Sequence, residues 1–155
     1  MLYALYLLTI IVLVTADQFS KFLIVQNIEL NTPIKIIDNF FSITYVQNFG
    51  AGFSILQNQT TFLLVVGLLA VGAVSYLLIK STNKETLNRV CYLLIIGGTI
   101  GNLIDRFKLG YVVDFLDFVI FNYDFPVFNI ADSFLTIGCF LLIISIMLES
   151  RNAKN

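Results

Sequence analysis

Four stretches of this sequence contain no charged residue, and they constrain its fold more than any other feature. They cover residues 1–16, 39–79, 90–104 and 133–148. A helix that spans a membrane needs about 20 residues at roughly 1.5 Å of rise each. The long stretch holds one span at its end, because its first part carries several asparagines and lacks a helical pattern. The shorter stretches become spans only by including flanking charges. The sequence therefore predicts four transmembrane helices, at about 2–22, 60–79, 89–108 and 129–148.

The composition agrees with a membrane protein. Of the 155 residues, 58% are hydrophobic and 12% are charged, whereas a soluble domain carries about 25% charged residues. We expect one integral membrane domain, 1–155, that is mainly α-helical, with two segments outside the membrane at about 23–59 and 109–128. The net charge of −1 offers no basic surface, so no nucleic-acid partner is expected.

The distribution of basic residues predicts the orientation. They gather in the connection between the second and third spans and in the C-terminal tail: Lys80, Lys84, Arg89, Arg151 and Lys154. Basic residues favour the cytoplasmic side of a membrane. Both termini are therefore expected in the cytoplasm, and the two longer connections on the outer side. The first span lacks a basic N-terminal region and a convincing cleavage site, so it is predicted to be retained.

The outer segments carry patterns typical of structure at the membrane surface. Residues 41–46 alternate and are rich in β-branched and aromatic side chains, which predicts a strand of a small sheet. Residues 110–125 include six aromatic side chains, a type that favours the lipid headgroup level. In the third span, Gly97 and Gly101 permit the close approach of another backbone. This pair indicates helix packing, a substrate groove, or both.

Polar side chains from three spans converge at one depth near the outer side. At roughly 1.5 Å per residue, this level contains Asp17, Lys21, Asn102, Asp105, Arg106, Asn129 and Asp132. Asp17 and Lys21 have i,i+4 spacing and can pair on one helix face. Snorkelling or charge pairing at a helix end is an alternative explanation for each charge taken alone. The surplus of carboxylates at one level favours a functional site.

The residue types at this level limit the available chemistry. The sequence contains no histidine, which excludes His-based triads and argues against zinc chemistry. Cys91 and Cys139 each lie in an apolar run and are interpreted as core residues, without a disulfide or a metal. Two close carboxylates can share one proton, so that one acts as an acid and the other as a base on water. Asp132 and Asp114, which lies in the second outer segment, are the candidate pair for such peptide hydrolysis.

Alternatives remain open at this point. Ser54 and Lys21 could form a nucleophile and a base, although Lys21 has an acidic neighbour one turn away. Asp105 has the depth to replace one member of the pair, and Asp117 could share a face of a short helix with Asp114. Buried acids also suit the proton relay of a small transporter, although these cluster at one rim rather than near the midplane. A purely structural membrane subunit would leave the site unexplained.

Five motifs occur in order across almost the whole chain: DQFSK (17–21), NFGAGFS (48–54), GTIGNLIDR (98–106), VVDF (112–115) and FNIAD (128–132). They resemble those of the signal peptidase II family of bacterial aspartic peptidases. Gly52 departs from the pattern, because the family usually has alanine there. Each motif is weak alone, and together they are specific.

The resemblance implies a fold, a location and an activity. It implies four transmembrane helices, a small outer β-cradle and an outer interfacial helix, in the cytoplasmic membrane of a bacterium. It also implies an endopeptidase that removes a signal peptide just before a diacylglyceryl-modified cysteine and that globomycin inhibits. The expected partners are lipid-modified prolipoproteins and membrane lipids. No metal or cofactor is implied, and we expect a monomer.

The resemblance also assigns roles to residues. By the family's pattern, Asp114 and Asp132 are the catalytic pair, placed near the outer face of the membrane. The residues that bind substrate or support the site are Asp17, Lys21, Asn48, Gly50, Asn102, Asp105, Arg106, Asn129 and Ala131.

Overall fold

Four long helices dominate the fold. The computed structural model describes residues 2–52, 55–82 and 85–152. Within these ranges lie α1 (Leu2–Asn27), α2 (Thr60–Lys80), α3 (Thr86–Leu109) and α4 (Ile130–Asn152). Each helix is long and apolar enough to span a membrane. The four predicted spans are confirmed, and α1 continues past its predicted end because its last turns pack against a sheet.

The helix α3 is the centre of the bundle. It packs against α1, α2 and α4. In its most apolar 18-residue stretch, 67% is buried, compared with 6% in the corresponding stretch of α2. A helix enclosed by others needs small residues where its neighbours cross. Gly97 lies against Leu13 of α1, and Gly101 lies against the Asp17 carboxylate of the same helix. The predicted close approach at this pair is therefore confirmed as helix packing.

A four-stranded antiparallel sheet joins the helices at one end of the bundle. Its strands, in spatial order, are β1 (Pro33–Ile37), β2 (Phe41–Asn48), β3 (Val112–Ile120) and β4 (Tyr123–Asp124). The strand predicted at 41–46 is confirmed within β2. Strands β2 and β3 pair directly, with Val46 opposite Asp114. Two segments that are distant in sequence thus form one sheet.

Asp117 lies in a strand rather than in a short helix. The interpretation that it shares a helical face with Asp114 is wrong, because both residues belong to β3. Successive side chains of a strand alternate between faces, so positions three apart point to opposite sides. Asp117 accepts a hydrogen bond from the Thr44 hydroxyl at 2.6 Å. The expected interfacial helix is not among the helices and strands of the described residues.

The sheet is attached to the helix ends by packing and by a tight turn. An apolar cluster joins Ile24 of α1, Tyr45 of β2, and Val113 and Phe115 of β3. Gly110 ends α3 with a left-handed φ of 83°, and its N–H donates to a carbonyl one turn earlier. Glycine adopts this conformation without a steric penalty. The turn leads directly into β3 and brings its first residues against the helices.

Candidate active site

Asp114 is a buried carboxyl group held by two amides. Its side chain is 2% exposed. Asn48 Nδ2 donates to one of its oxygens at 2.9 Å, and Asn129 Nδ2 donates to the other at 2.6 Å. Burial, and then repulsion from Asp132, raise the pKa of Asp114 from its ordinary 3.8 to about 7. A proton on this carboxyl group is therefore available near neutral pH.

Asp132 lies in the first turn of α4, where it forms a reciprocal cap with Asn129. The Asp132 N–H donates to Asn129 Oδ1 at 2.9 Å, and the Asn129 N–H donates to Asp132 Oδ2 at 3.2 Å. This is the pattern of a capping box, with aspartate in the usual place of glutamate. Asn102 Nδ2 donates to the other oxygen of Asp132 at 2.7 Å. The carboxylate is thus fixed by its own helix and by α3.

Two amides connect the two carboxyl groups. Asn129 Nδ2 donates both to Asp114 and, at 3.1 Å, to Asn102 Oδ1. Asn102 in turn donates to Asp132. A chain of hydrogen bonds therefore runs from one carboxyl group to the other through groups that do not titrate. Such a chain sets the positions of both acids while leaving the exchangeable proton on the acids themselves.

Lys21 is the centre of a buried ion network beneath this pair. Its ammonium group lies 2.9 Å from an Asp17 oxygen, 2.9 Å from an Asp105 oxygen and 3.0 Å from Asn102 Oδ1. The exposed fractions of Asp17, Lys21 and Asp105 are 0%, 3% and 3%. An ammonium group has three hydrogens, so Lys21 is fully engaged by these acceptors. The predicted pairing of Asp17 with Lys21 is confirmed, and Ser54 lies outside the described residues.

The carboxylates of the network bind backbone as well as lysine. Asp105 accepts a hydrogen bond from the Val113 N–H at 3.1 Å, and so anchors β3 next to Asp114. Asp17 accepts one from the Ala131 N–H at 3.0 Å, at the start of α4. A Cβ at Gly101 would lie 2.5 Å from the Asp17 carboxylate. Glycine there therefore leaves the room in which α1 reaches α4.

Sequence reasoning missed Gln18 as a member of this network. Its Nε2 donates to Asp105 Oδ1 at 2.7 Å and to the Gly101 carbonyl at 3.2 Å. Because Gln18 and Lys21 both bind its carboxylate, Asp105 supports the site from within the network. It does not line the groove beside Asp114, to judge from the described residues. The only available signal was the position of Gln18 inside the DQFSK motif, since a polar side chain in an apolar helix has many structural explanations.

Both carboxyl groups face a groove of about 750 Å³. Its polar wall includes Asn48, Asn102, Arg106, Asp114 and Asp132. Most of the remaining lining is apolar and comes from β2, β3, the loop before α4, and α4 itself: Val46, Val112, Pro126, Val127, Phe128, Leu135 and Ile137. The groove can therefore hold a largely apolar ligand against two acids.

Arg106 and Asn48 shape the loop at the edge of the groove. Arg106 Nη2 donates to the Gly50 carbonyl at 2.8 Å, and the Gly50 N–H donates to Asn48 Oδ1 at 2.9 Å. A Cβ at Gly50 would lie 2.5 Å from the Ile55 carbonyl oxygen, so a larger residue would displace the loop. The same loop contact orients the Asn48 amide with its NH₂ group toward Asp114.

The structure brings together every residue that the sequence placed in the site. Asn48, Asn102, Arg106, Asp114 and Asp132 line the groove. Gly50 lies in the loop at its edge. The other predicted residues form the layer behind it: Asp17, Lys21, Asp105, Asn129 and Ala131. The arrangement presents two carboxyl groups, linked through two amides, to an apolar groove, and the pKa of Asp114 is raised. Chemically, it is suited to acid–base activation of a water molecule.

Comparisons with known proteins identify relatives of this chain. The family model described as signal peptidase (SPase) II matches residues 9–148. The chain is 46% identical over 148 residues to the lipoprotein signal peptidase of Streptococcus thermophilus strain CNRZ 1066, covering 94% of each chain. It is 42% identical over 149 residues to the lipoprotein signal peptidase of Bacillus pumilus strain SAFR-032, covering 96% of each.

Two solved structures share the fold. One is a bacterial membrane enzyme determined by the in meso method at 2.3 Å resolution, with a TM-score of 0.90 and 37% identity, over 96% of this chain and 91% of that one. The other is a bacterial membrane enzyme determined by the same method at 1.9 Å resolution, with a TM-score of 0.83 and 38% identity, over 92% of each chain. The four-helix architecture with its sheet is therefore shared with known membrane enzymes.

Proposed function

Because this chain belongs to the signal peptidase II family, we propose that Asp114 and Asp132 are the catalytic carboxyl groups of an aspartic endopeptidase. The chain is a multi-pass membrane protease of bacterial type that removes signal peptides from prolipoproteins. The observation that carries the catalytic assignment is the pair itself: both acids face one groove and are joined through Asn129 and Asn102.

The two acids act as one unit that shares a proton. With one proton on the pair, the ionised carboxylate removes a proton from a water molecule as its oxygen bonds to the scissile carbonyl carbon. The protonated carboxyl group gives its proton to the carbonyl oxygen. When the intermediate collapses, one of its hydroxyl groups gives its proton to the ionised carboxylate as the carbonyl re-forms. The C–N bond breaks, the nitrogen takes the proton of the other carboxyl group, and the pair again holds one proton. The products are a carboxylic acid and an amine, and the two acids titrate as a coupled pair.

The surrounding residues keep this pair in place. Asn102 and Asn129 set its geometry, while the Asp17–Lys21–Asp105 network ties β3 and the start of α4 to α1 and α3. Pre-set positions lower the barrier, because the reacting groups need little rearrangement. In this proposal, Arg106 acts through the loop at Gly50 that borders the substrate groove.

The groove suits a substrate that carries acyl chains. Leu135 and Ile137 follow Asp132 on α4, roughly 4.5 Å and 7.5 Å further along the helix axis. An acyl chain can follow this apolar wall into the bilayer while the scissile bond stays beside the acids. We therefore infer a diacylglyceryl-modified cysteine just after the cleaved bond. Globomycin would occupy the same groove, and a monomer suffices because one chain supplies every site residue named here.

The proposed orientation places the site near the outer face of the bacterial cytoplasmic membrane, with both termini in the cytoplasm. The sheet and the two acids lie at one end of the helix bundle, and Lys80 and Arg89, which flank the 2–3 connection, lie at the other. The acids are at the helix ends rather than midway, which argues against a proton-coupled transporter.

The direct test is a cleavage assay with purified full-length protein. A diacylglyceryl-modified prolipoprotein should be cut before its modified cysteine, and globomycin should block the cut. The wild-type protein and the Asp114→Asn variant are compared on the same substrate, with Asp117→Asn as a matched control on the other face of β3. Normal cleavage by Asp114→Asn would contradict the assigned pair.

A further inference from the structure

Arg89 is a buried guanidinium group at the opposite end of α3 from the carboxyl pair. Its exposed fraction is 9%. Its Nη1 donates to the Tyr6 hydroxyl at 3.0 Å, and its Nη2 donates to the Thr82 carbonyl at 2.8 Å. Its Nε has no hydrogen-bond partner among the described residues. Both observed partners are neutral, so the positive charge is buried without a counter-charge on them.

The two acids near this end of α3 accept hydrogen bonds from neutral side chains and do not pair with Arg89 in the described part of the chain. Glu85 accepts a hydrogen bond from the Thr82 hydroxyl at 2.8 Å, and Glu149 accepts one from Asn88 Nδ2 at 2.9 Å. Within the described parts of the chain, Arg89 forms no ion pair. Burial of a charge without a counter-ion is unfavourable, so an anion from outside the chain would stabilise this end of the protein.

An apolar cavity of about 350 Å³ extends from Arg89 along the seam between α1 and α3. Its lining is Leu2, Leu5, Tyr6, Thr9 and Leu13 from α1, and Thr86, Arg89, Val90, Leu93 and Leu94 from α3. The α1 side runs from Leu2 to Leu13, which is roughly 16 Å along the axis. One leaflet of a bilayer has a hydrocarbon depth of about 15 Å. The seam thus matches the length of one acyl chain.

From the cavity and its charge, we propose that this seam binds a glycerophospholipid, with the phosphodiester at Arg89 and one acyl chain between α1 and α3. The phosphate supplies the counter-charge and an acceptor for Nε, and the chain fills the apolar length of the cavity. A free phosphate ion satisfies the charge but leaves the apolar seam empty. The lipid also joins α1 to α3, the two helices that carry the Asp17–Lys21–Asp105 network.

Thermal unfolding of the purified full chain in phospholipid-free detergent tests the site. Dioleoylphosphatidylglycerol at about five times its Kd should raise the Tm by about 2–4 °C. The Arg89→Met variant keeps the apolar stem but not the charge, and it should lose this shift. Arg151→Met is the control, because it removes an exposed charge at the cytoplasmic end of α4 and should retain the shift.

Two separate arms distinguish the source of the phosphate. Inorganic phosphate and sn-glycerol 3-phosphate, at concentrations matched to the lipid, should leave the Tm unchanged. An equal shift with either one would replace the lipid by a free anion and refute the proposal. An equal lipid shift in Arg89→Met and wild type would show that Arg89 does not hold the headgroup.

A second variant serves if Arg89→Met does not fold. Leu5→Trp fills the seam and leaves Arg89 in place. Native mass spectrometry should find one retained phosphatidylglycerol per wild-type chain and a reduced lipid-bound fraction for Leu5→Trp. Equal retention by both proteins, or no retention by wild type, would refute a lipid in this cavity.

Discussion

Replacement of Lys21 by methionine tests whether Lys21 stabilises the fold or takes part in catalysis. The change removes the ammonium group but keeps a side chain of similar length. Lys21 touches two buried carboxylates at 2.9 Å each. Each keeps donors that do not carry charge: Ala131 N–H for Asp17, and Val113 N–H for Asp105. The network changes from two negative charges with one positive charge to two negative charges with none.

The expected loss of stability follows from that change. Removing one partner of a buried ion pair typically costs about 3–5 kcal/mol, because a buried charge is left without compensation. For a chain of this size, each kcal/mol lowers the Tm by about 2–4 °C. Lys21→Met should therefore unfold roughly 6–20 °C below wild type. The double variant Lys21→Met with Asp105→Asn should recover part of this loss, since it removes one uncompensated negative charge.

The assay can use the protein's own cysteines. The sequence has no tryptophan, but Cys91 is fully buried and Cys139 is exposed. In a Cys139→Ala background, a thiol-reactive fluorogenic dye reports the exposure of Cys91 on unfolding. Cleavage of the lipidated precursor is measured in parallel at a temperature where both proteins are folded. An unchanged Tm with abolished cleavage would refute the structural role and favour Lys21 as a catalytic base.

Further predictions concern the acid pair, its titration, the substrate and the topology. Asp114→Asn and Asp132→Asn should each lower kcat/KM by at least about 10²–10⁴-fold, and the double variant should be little worse, because the two act as a unit. Asp117→Asn should stay close to wild type in the same assay. Because the pKa of Asp114 is raised to about 7, the shared proton is lost as pH rises through this value. The kcat/KM should then fall about tenfold per pH unit above it, and a flat profile from about pH 6 to pH 9 would contradict this. An unlipidated precursor should be cut negligibly compared with its lipidated form, and equal rates would exclude a groove that recognises acyl chains. A membrane-impermeant thiol reagent applied from outside should label Tyr123→Cys but not Thr82→Cys, and the reverse pattern would invert the orientation.

Some features of this protein follow from local sequence. The spans are predictable because the length of an apolar run is a local property, and all four are present in the structure. The strand within β2 is predictable from its alternating β-branched and aromatic residues. The Asp17–Lys21 pair is predictable because i,i+4 spacing places both on one face of a single helix. The clustering of polar residues near one end of the spans is predictable from the same counting along each helix.

Other features depend on contacts between distant segments. The secondary structure around Asp117 was decided by pairing with β2, which supplies the partner strand that residues 112–120 lack locally. The recruitment of Asp105 to Lys21 depends on how α1 crosses α3. Gln18 joins the network for the same reason. Spacing along one helix carries no information about the rotation of its neighbour.

The carboxyl pair shows most clearly which features follow from local sequence and which depend on tertiary contacts. The sequence by itself indicated that Asp132 opens an apolar run, that Asp114 lies in the segment before it, and that both lie within motifs that resemble a peptidase family. Only the tertiary structure decided that Asn129, a helix cap, also bonds Asp114, and that Asn102 of α3 completes the connection to Asp132. The pKa of Asp114 is likewise a tertiary property, because its burial and its distance from Asp132 exist only after α3, α4 and the sheet have packed together.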